Sequence, residues 1–354
     1  MSNSHSSVVT HPALKKRLAQ EIHDLIDREA PVLVSAIDDK YLLSPRQTST
    51  RHHGRPDYQI NTIQHLYFLD SAISMASNDI FIRYIDWLHD VLTNREVDTG
   101  LIHTSLEATR EVLSQHLSTE ASSLVDTTLS ACLRGYLATS IDSSTTLSGD
   151  QCESYVDAIL NGKRDLAEKA IVFRPNQIPL ADVHVHTLQP AMYAIGELWQ
   201  KNRISVAQEH MATAITQDLL GELRKQYEHK PKTGKSAVFA CTEGNHHVLG
   251  LKMVSDIFEV MGWTTYFLGA NTPSESIMAM LDNTRPDLVG LSVSLPQHIQ
   301  PLSNLLDDLR SEFAGSCPSL VVGGQVLNQH PDLLDNLGSD GWFKNSLSVQ
   351  ADLS

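Results

Sequence analysis

The sequence has few of the features that mark zinc-binding, disulfide-linked or membrane-spanning proteins. Its cysteines, at positions 132, 152, 241 and 317, form no C-x-x-C pair, so the sequence indicates neither a zinc site nor a disulfide framework. No apolar run approaches the length of a membrane span, and the polar start is unlike a signal peptide. We therefore expect a protein of the reducing cytoplasm that does not insert into a membrane.

Positive charge is also scarce. The 354 residues include 27 Lys and Arg against 42 Asp and Glu, which gives a formal net charge of −15. This balance argues against nonspecific binding to nucleic acid or to an anionic membrane surface. No basic cluster with interleaved aromatic residues and no helix-turn-helix pattern is evident. Neither nucleic acid nor a membrane is an expected partner.

The chain is long enough for two or three domains. Apolar residues at three-to-four spacing predict an all-helical domain over residues 1–145. A second helical group over residues 150–229 contains four predicted helices, which suggests a small bundle. Its last helix has a predicted capping box, Ser205 with Gln208. Residues 235–354 instead alternate short apolar runs with helical patterns.

This alternation predicts the fold of the last domain. Five short apolar runs bounded by turn residues are the predicted strands: Ala237–Cys241, Thr264–Leu268, Leu288–Ser292, Leu320–Val322 and Gly341–Phe343. Strands that alternate with helices form a parallel, doubly wound α/β sheet, here of the flavodoxin-like kind. Ligands bind such sheets at the carboxyl ends of the strands.

The turn after the first predicted strand carries the main candidate residues. The strand breaks at Glu243-Gly244-Asn245, and a helical pattern begins a few residues later. Gly244, Asn245 and His246 are candidate cofactor-binding residues. Asn245, His247 and Gly250 form the pattern Asn-x-His-x-x-Gly. A neutral imidazole is a good metal ligand, although a His at such a turn is more often a solvated or capping residue. The function of His247 therefore depends on what the neighbouring strand ends provide.

Two other strand ends carry small and hydroxyl-bearing residues. Ser292 and Ser294 close the third predicted strand, and Gly323-Gly324 closes the fourth. Each pair alone is common, because hydroxyls often end strands and Gly-Gly is a frequent turn. Together they predict one crevice around His247.

These motifs resemble the cobalamin-binding domain of methionine synthase and its relatives, whose pattern is Asp-x-His-x-x-Gly, Ser-x-Leu and Gly-Gly. The resemblance implies that His247 is the lower axial ligand of cobalt and replaces the dimethylbenzimidazole of the cofactor. The displaced nucleotide tail would enter a slot beside the sheet. Gly250 would let the tail pass close to the first helix, the Ser292 and Ser294 hydroxyls would bond it, and the glycine pair would leave room at its far end.

The chain departs from that pattern at two positions. Asn245 stands where the family has an acidic residue that supports the ligand His. Its amide oxygen can accept the imidazole N–H but supplies no negative charge to increase the basicity of the ligand. Ser294 stands where the pattern has Leu. The first departure argues against the proton-coupled ligand switching of the methyl-transferring members.

A second resemblance lies in the helical group upstream. Trp199, followed after nine residues by Glu209-His210, resembles the adenosyl-recognition motif of the cobalamin photoreceptors that control carotenoid genes. The resemblance implies that Trp199 covers the upper corrin face and that Glu209 and His210 contact the adenosyl group. Many of those photoreceptors have a His directly after the Trp, where this chain has Gln200. The candidates to replace it as upper ligand after photolysis are His184, His186 and His210.

The N-terminal helical region resembles that of photocobilins, which bind biliverdin as well as cobalamin. The residues that carry this likeness are Arg55-x-Asp57, His65-Leu66-x-Phe68-Leu69, Phe81-x-x-Tyr84-x-x-Trp87 and Leu92-x-x-Arg95. The same residues also fit an ordinary helical core. A bound bilin needs cations for its two propionates, and the candidates are Arg51, Arg55 and Lys201.

From these patterns we expect a cytoplasmic adenosylcobalamin photoreceptor, with biliverdin as a possible second chromophore, that is not an enzyme. No catalytic residue is assigned. We expect a homodimer that signals through an unidentified protein partner. One alternative is a corrinoid carrier that shuttles methyl groups between methyltransferases. Another is a sensor that binds haem, or cobalamin without light.

Overall fold

The computed structural model describes residues 12–42, 62–136, 150–171 and 178–353. Two compact units divide the chain, Met1–Asp142 and Ser143–Ser354. Within the described ranges, no helix is long and apolar enough to cross a membrane.

The first unit is helical, as the apolar spacing predicted. Its described helices bury mostly Leu, Ile and Val side chains in a common core. The predicted loop Ser44–Asp57 lies outside the described residues. The helices are α1 Pro12–Leu42, α2 Thr62–Ser74, α3 Asn78–Asn94, α4 Gly100–Ser114 and α5 Thr119–Tyr136.

The second unit begins with helices as well. A π-helical turn interrupts its third helical segment at His184–Leu188. Pro190, the second residue after this turn, has no N–H to donate, so the regular hydrogen-bond ladder cannot continue through it. The last helix starts with the predicted capping box of Ser205 and Gln208. The α-helices are α6 Asp150–Leu160, α7 Arg164–Ala170, α8 Leu180–Val183, α9 Gln189–Gln200 and α10 Val206–Lys225.

A five-stranded parallel sheet follows and confirms the predicted flavodoxin-like fold. The strands lie in the order β2-β1-β3-β4-β5. The strand order therefore reverses between β1 and β3, which is where sheets of this kind form a ligand crevice. The strands are β1 Ser236–Cys241, β2 Thr264–Gly269, β3 Leu288–Ser292, β4 Ser319–Gly323 and β5 Gly341–Phe343.

Helices connect and cover these strands. Apolar side chains of α6 and α10 belong to the same hydrophobic core as Phe239 of β1 and Phe258 of the first covering helix. The helical and α/β parts of the second unit are thus packed on each other. The helix after β5 had no counterpart in the sequence prediction. The helices are α11 Leu249–Val260, α12 Ser274–Thr284, α13 Ile299–Glu312, α14 Gln325–Gln329, α15 Leu334–Leu337 and α16 Ser346–Leu353.

The register of the sheet brings the predicted strand-end residues together. Cys241, the last residue of β1, pairs with Ser292, the last residue of β3. Ser292 in turn pairs with Gly323 at the end of β4. Because parallel strands end at the same edge, the loops that begin after these residues are neighbours.

Candidate functional site

The side chain of Asn245 hydrogen-bonds the turn that carries His247 to the end of β3. Asn245 is completely buried. Its Nδ2 donates to the backbone carbonyl of Ser292 at 2.8 Å, and its Oδ1 accepts the backbone N–H of His247 at 3.1 Å. The amide oxygen that the sequence analysis offered to the imidazole N–H thus already accepts one backbone N–H. Asn245 thus fixes the position of the His247 backbone in the turn.

The loop after β2 holds the same turn from the other side. Asn271 Oδ1 accepts the N–H of Gly244 at 2.7 Å, and the Asn271 N–H donates to the Asn245 carbonyl at 2.9 Å. Gly244 has a φ of +78°, a conformation that favours glycine. Asn271 was not predicted as a site residue, because its only local signal is its place in a polar turn after a strand. The His247 turn is thus bonded to both neighbouring loops.

His247 itself is exposed to solvent. The protein on one side of the ring still desolvates it, which lowers its pKa, and the nearby His246 adds to this effect. The Glu209 carboxylate opposes it and raises the pKa. A lowered pKa keeps the imidazole neutral, which is the form that binds metals. The interaction with Glu209 also shows that α10 lies within electrostatic range of the turn.

His298 is a member of this site that the sequence analysis did not identify. It closes the 3₁₀ turn Pro296–His298 after β3 and is buried. A Cβ at Gly244 would lie 3.5 Å from His298 Nε2, so the ring stands against the turn. Burial lowers the pKa of His298 to about 4, with a contribution from His247. Its Nδ1 is buried and has no partner among the described residues.

The predicted tail-slot residues lie at the adjacent strand ends. Ser292 is buried and Ser294 is half-buried. Gly324 has a φ of +120°, and a Cβ there would lie 1.7 Å from the Val293 carbonyl oxygen. Only glycine at this position lets the loop after β4 approach the loop after β3 so closely. The glycine next to it, Gly323, is half-buried at the end of β4.

The surroundings of His247 leave open space and several polar atoms without partners. Among the described residues, nothing lies within 4 Å of a Cβ built at Gly250, so space is open beside the start of α11. Thr242 Oγ1, Thr272 Oγ1 and Gln297 Oε1 are buried without a hydrogen-bond partner in the described chain. The described residues contain no group of three or more His, Cys, Asp or Glu side chains that could hold a metal ion. A metal bound at His247 would therefore need its other ligands from elsewhere.

The predicted upper residues lie on α9 and at the start of α10. Trp199 is half-buried and packs against the core of the unit. Glu209 accepts a hydrogen bond from Thr213 Oγ1 at 3.0 Å, and its other carboxylate oxygen lies 2.5 Å from His210 Nδ1. The His210 side chain is 75% exposed. Glu209 is thus oriented by two neighbours, while His210 projects into solvent.

The two other predicted upper histidines lie in different surroundings. His184 is completely buried in the π turn, with its Nδ1 3.1 Å from Ser346 Oγ. Burial and the nearby Lys252 lower its pKa to about 3. This burial makes His184 unavailable as an upper ligand without repacking of the core. His186 is exposed and lies 3.7 Å from Asp182 Oδ1.

The first unit contains an aromatic cluster at the residues with the bilin resemblance. His65 is completely buried, and its Nδ1 lies 2.6 Å from the Tyr84 hydroxyl. Phe68 stacks on Tyr84 with ring centroids 4.1 Å apart, and Trp87 lies on Tyr84 at 6.0 Å. Burial lowers the pKa of His65 to about 3, and its Nε2 has no partner among the described residues. The predicted propionate partners Arg51 and Arg55, together with Asp57, lie outside those residues.

Comparison with protein-family models identifies both parts of the second unit. Residues 235–349, which include the whole sheet, match the B12 binding domain. Residues 151–224, which include α6 to α9 and nearly all of α10, match a second B12 binding domain model.

Individual relatives cover parts of the chain. The HTH-type transcriptional repressor CarA of Myxococcus xanthus is 30% identical over 137 residues, 39% of this chain and 46% of CarA. The chain thus spans about half the length of that relative. The dimethylamine corrinoid protein 3 of Methanosarcina acetivorans is 22% identical over 55% of this chain and 91% of its own length.

A solved structure shares the fold of the second unit. The monomethylamine corrinoid protein of Methanosarcina barkeri aligns with a TM-score of 0.50 and 19% identity, over 57% of this chain and 96% of its own. This likeness supports the assignment of the fold.

Proposed function

We infer from the membership of residues 151–224 and 235–349 in the B12-binding domain families that this chain binds cobalamin, as part of a photoreceptor-like family. Within that frame we propose a cytoplasmic signalling protein that senses light through adenosylcobalamin. The observation that carries the proposal is the fastened turn that presents a neutral imidazole at the β1–β3 switch point, within electrostatic range of Glu209 on the helical part.

The lower half of the proposed site belongs to the sheet. His247 would bind cobalt from below, because its ring is exposed and its pKa is lowered. Asn245 and Asn271 would keep the turn in place as the ligand enters. The open space beside Gly250 and the strand end at Ser292 would accept the displaced nucleotide tail. Neutral hydroxyl and amide groups there suit a tail rich in hydrogen-bonding atoms.

The upper half belongs to the helical part. The indole of Trp199 is a flat apolar surface suited to cover the corrin and to pack on an adenosyl group. The Glu209 carboxylate has acceptor capacity beyond its bonds to Thr213 and His210, so it can accept from ribose hydroxyls. His246 and His210 would line the margins of the site, since both are exposed beside these residues.

Adenosylcobalamin, when bound, supplies a cobalt–carbon bond that light can break. The protein would read this event through the upper residues. Without an adenosyl group, Trp199 and Glu209 lose the contacts that favour one arrangement of α9 and α10. A shift of these helices would then reach a protein partner or change a homodimer.

Biliverdin binding by the first unit is a separate part of the proposal. It is supported by the buried His65, whose Nε2 lacks a partner in the described chain, and by the aromatic cluster around Tyr84. A pyrrole N–H could donate to that nitrogen while the rings pack on the aromatic side chains. Absorption in red light by protein purified with biliverdin, and its loss in His65→Phe, would test this part.

A corrinoid carrier is the second candidate function. The alignment with the dimethylamine corrinoid protein supports it, because that relative matches over 91% of its length. Asn245 argues against a carrier, because its amide bonds two backbone groups and offers no carboxylate to take up a proton when the axial ligand changes. A carrier would accept a methyl group in the reduced cob(I)alamin state, which photolysis of the adenosyl form does not require.

The experiment is absorption spectroscopy of protein loaded with adenosylcobalamin, in the dark and after green light. We expect His247→Ala to lose the spectrum of histidine-coordinated cobalamin and to bind at least tenfold more weakly. His246→Ala is the matched control, because it removes an exposed imidazole one residue away. An unchanged spectrum in His247→Ala would contradict the proposal. If the absorption spectrum of the loaded wild-type protein does not change on illumination, cobalamin binding would stand but the light-sensing function would be contradicted.

A further inference from the structure

His298 belongs to the loop after β3, but its ring is directed at the turn after β1. The Gly244 N–H already donates to Asn271 Oδ1 at 2.7 Å. The backbone hydrogen bond between His298 and Gly244 must therefore use the Gly244 carbonyl. This geometry agrees with the Nε2 position, 3.5 Å from a Cβ built at Gly244. His298 thus bonds the one polar backbone group of Gly244 that the β2 loop does not hold.

Gly244 is consequently hydrogen-bonded by residues of both neighbouring loops. Asn271 holds the N–H of Gly244 from the β2 side, and His298 holds the carbonyl from the β3 side. His247 lies three residues further along, after Asn245, whose amide bonds two backbone groups. Position 245 itself carries no carboxylate, and Glu243, the acidic residue of this turn, is exposed.

We propose that His298 is the positioning residue for His247, and that it provides from the neighbouring loop the support for which position 245 has no carboxylate. The inference depends on the proposed function, since its consequence is the strength of the imidazole–cobalt bond. A ring that is neutral can donate one N–H to the Gly244 carbonyl and carries no charge that would repel the metal. Hydrogen bonds made directly to a metal-ligating His typically change metal affinity by about 10–100-fold. The His298 bond acts one step further out, on the backbone of the turn that carries the ligand.

A purely apolar packing role fits His298 less well. The ring is buried, yet its Nδ1 has no partner among the described residues. An unbonded buried nitrogen costs stability that Phe or Leu at this place would not. A histidine at this position therefore indicates that its other ring nitrogen, Nε2, makes a specific hydrogen bond. The group that accepts this bond is the Gly244 carbonyl.

The test compares His298→Phe, which keeps a ring of similar size, with His298→Gln, whose amide N–H can still donate to Gly244. His184→Phe is the matched control, because it replaces another buried, neutral histidine of the same unit, one bonded to Ser346 instead. Each full-length protein is labelled with nitrogen-15 at histidine, loaded with unlabelled cobalamin and reduced to cob(II)alamin. The dissociation constant and the nitrogen splitting in the electron paramagnetic resonance spectrum are measured, with the melting temperature as a check of folding.

We expect His298→Phe to bind cobalamin about tenfold more weakly, at the lower end of the range for direct partners of the ligand, and to show a weaker or heterogeneous nitrogen-15 doublet. His298→Gln should recover most of both, and His184→Phe should match the wild type in splitting. Wild-type affinity and splitting in His298→Phe would overturn the inference, as would equal loss in the Phe and Gln variants at equal melting temperature. The proposed function fails separately, if His247→Ala keeps the nitrogen-15 doublet of the parent protein.

Discussion

The turn after β1 and the face formed by α9 and α10 are two different kinds of binding surface. In the turn, Asn245 and Asn271 bond the backbone on both sides of His247 before any ligand is present. On the helical face, Trp199 is half-buried, and the bonds of Glu209 are to residues of its own helix. The lower ligand is therefore preorganised, whereas the upper contacts depend on what is bound. A light sensor needs this difference, because the residues that respond to the loss of the adenosyl group must be those whose arrangement the adenosyl group stabilises.

The largest expected effect comes from breaking the preorganised half. In Asn245→Asp the buried carboxylate cannot donate to the Ser292 carbonyl, and the two oxygens repel each other. We expect a loss of about 3–5 kcal/mol in the free energy of unfolding, typical of an uncompensated buried charge. Thermal and urea unfolding measure it.

Asn271→Asp is the control for that variant, because the exposed carboxylate still accepts the Gly244 N–H. It should unfold within about 0.5 kcal/mol of the wild type, as surface substitutions usually do. Equal stability of the two variants would show that Asn245 does not fasten the turn.

The next largest effect concerns the ligand-dependent half. Trp199→Ala should weaken adenosylcobalamin binding by about tenfold, which corresponds to the loss of one aromatic packing contact. Binding of hydroxocobalamin, which lacks the adenosyl group, should change less. Titration calorimetry with both cobalamins measures the difference, and Tyr193→Ala, an exposed aromatic on the same helix, is the control. Equal weakening for both cobalamins would place Trp199 outside the adenosyl contact.

A smaller effect is expected for Glu209→Gln. The amide can still accept from Thr213 but has no charge, and the loss of a charged acceptor weakens a hydrogen bond by about 1 kcal/mol, or roughly fivefold in affinity. The dissociation constant for adenosylcobalamin should rise by this factor, while that for hydroxocobalamin stays constant. His210→Gln removes the other partner of Glu209 and should have a weaker effect. A larger effect in the His210 variant would reverse the assigned roles.

The smallest expected effect is that of moderate acidification. Desolvation lowers the pKa of His247 below its ordinary value of 6.5, so the ring stays neutral to a lower pH than a solvated histidine does. Cobalt coordination should therefore persist as the pH falls through 6.5. It should be lost only below the lowered pKa of the free ring, because cobalt competes with the proton for the same nitrogen. An absorption titration of the loaded protein between pH 8 and 4 follows this change. Loss of coordination centred above pH 6.5 would contradict the lowered pKa.

The sequence predicted the sheet well because each strand is a buried apolar run and each helix has one apolar face. The predicted strand Leu288–Ser292 has the same bounds in the structure. The turn at His247 was also found, since its position after a strand is a local feature. The backbone bonds of Asn245 were not predicted, because they depend on the three-dimensional shape of the turn.

The features that the sequence did not reveal are nonlocal. His298 is more than 50 residues from Gly244 in the chain, and the two meet only because β1 and β3 are adjacent in the sheet. The π turn at His184–Leu188 reads as ordinary helix, since its apolar spacing continues on both sides. Its burial of His184 against Ser346 depends on the C-terminal helix, which was not predicted.

The most direct test of the central claim is the identity of the nitrogen bound to cobalt. Protein labelled with nitrogen-15 at histidine and loaded with unlabelled cob(II)alamin should give a doublet splitting in the electron paramagnetic resonance spectrum, because nitrogen-15 has half the nuclear spin of nitrogen-14. The doublet should be absent in His247→Ala and present in His246→Ala. A triplet from the labelled wild-type protein would mean that the cofactor keeps its own benzimidazole, which contradicts coordination by His247.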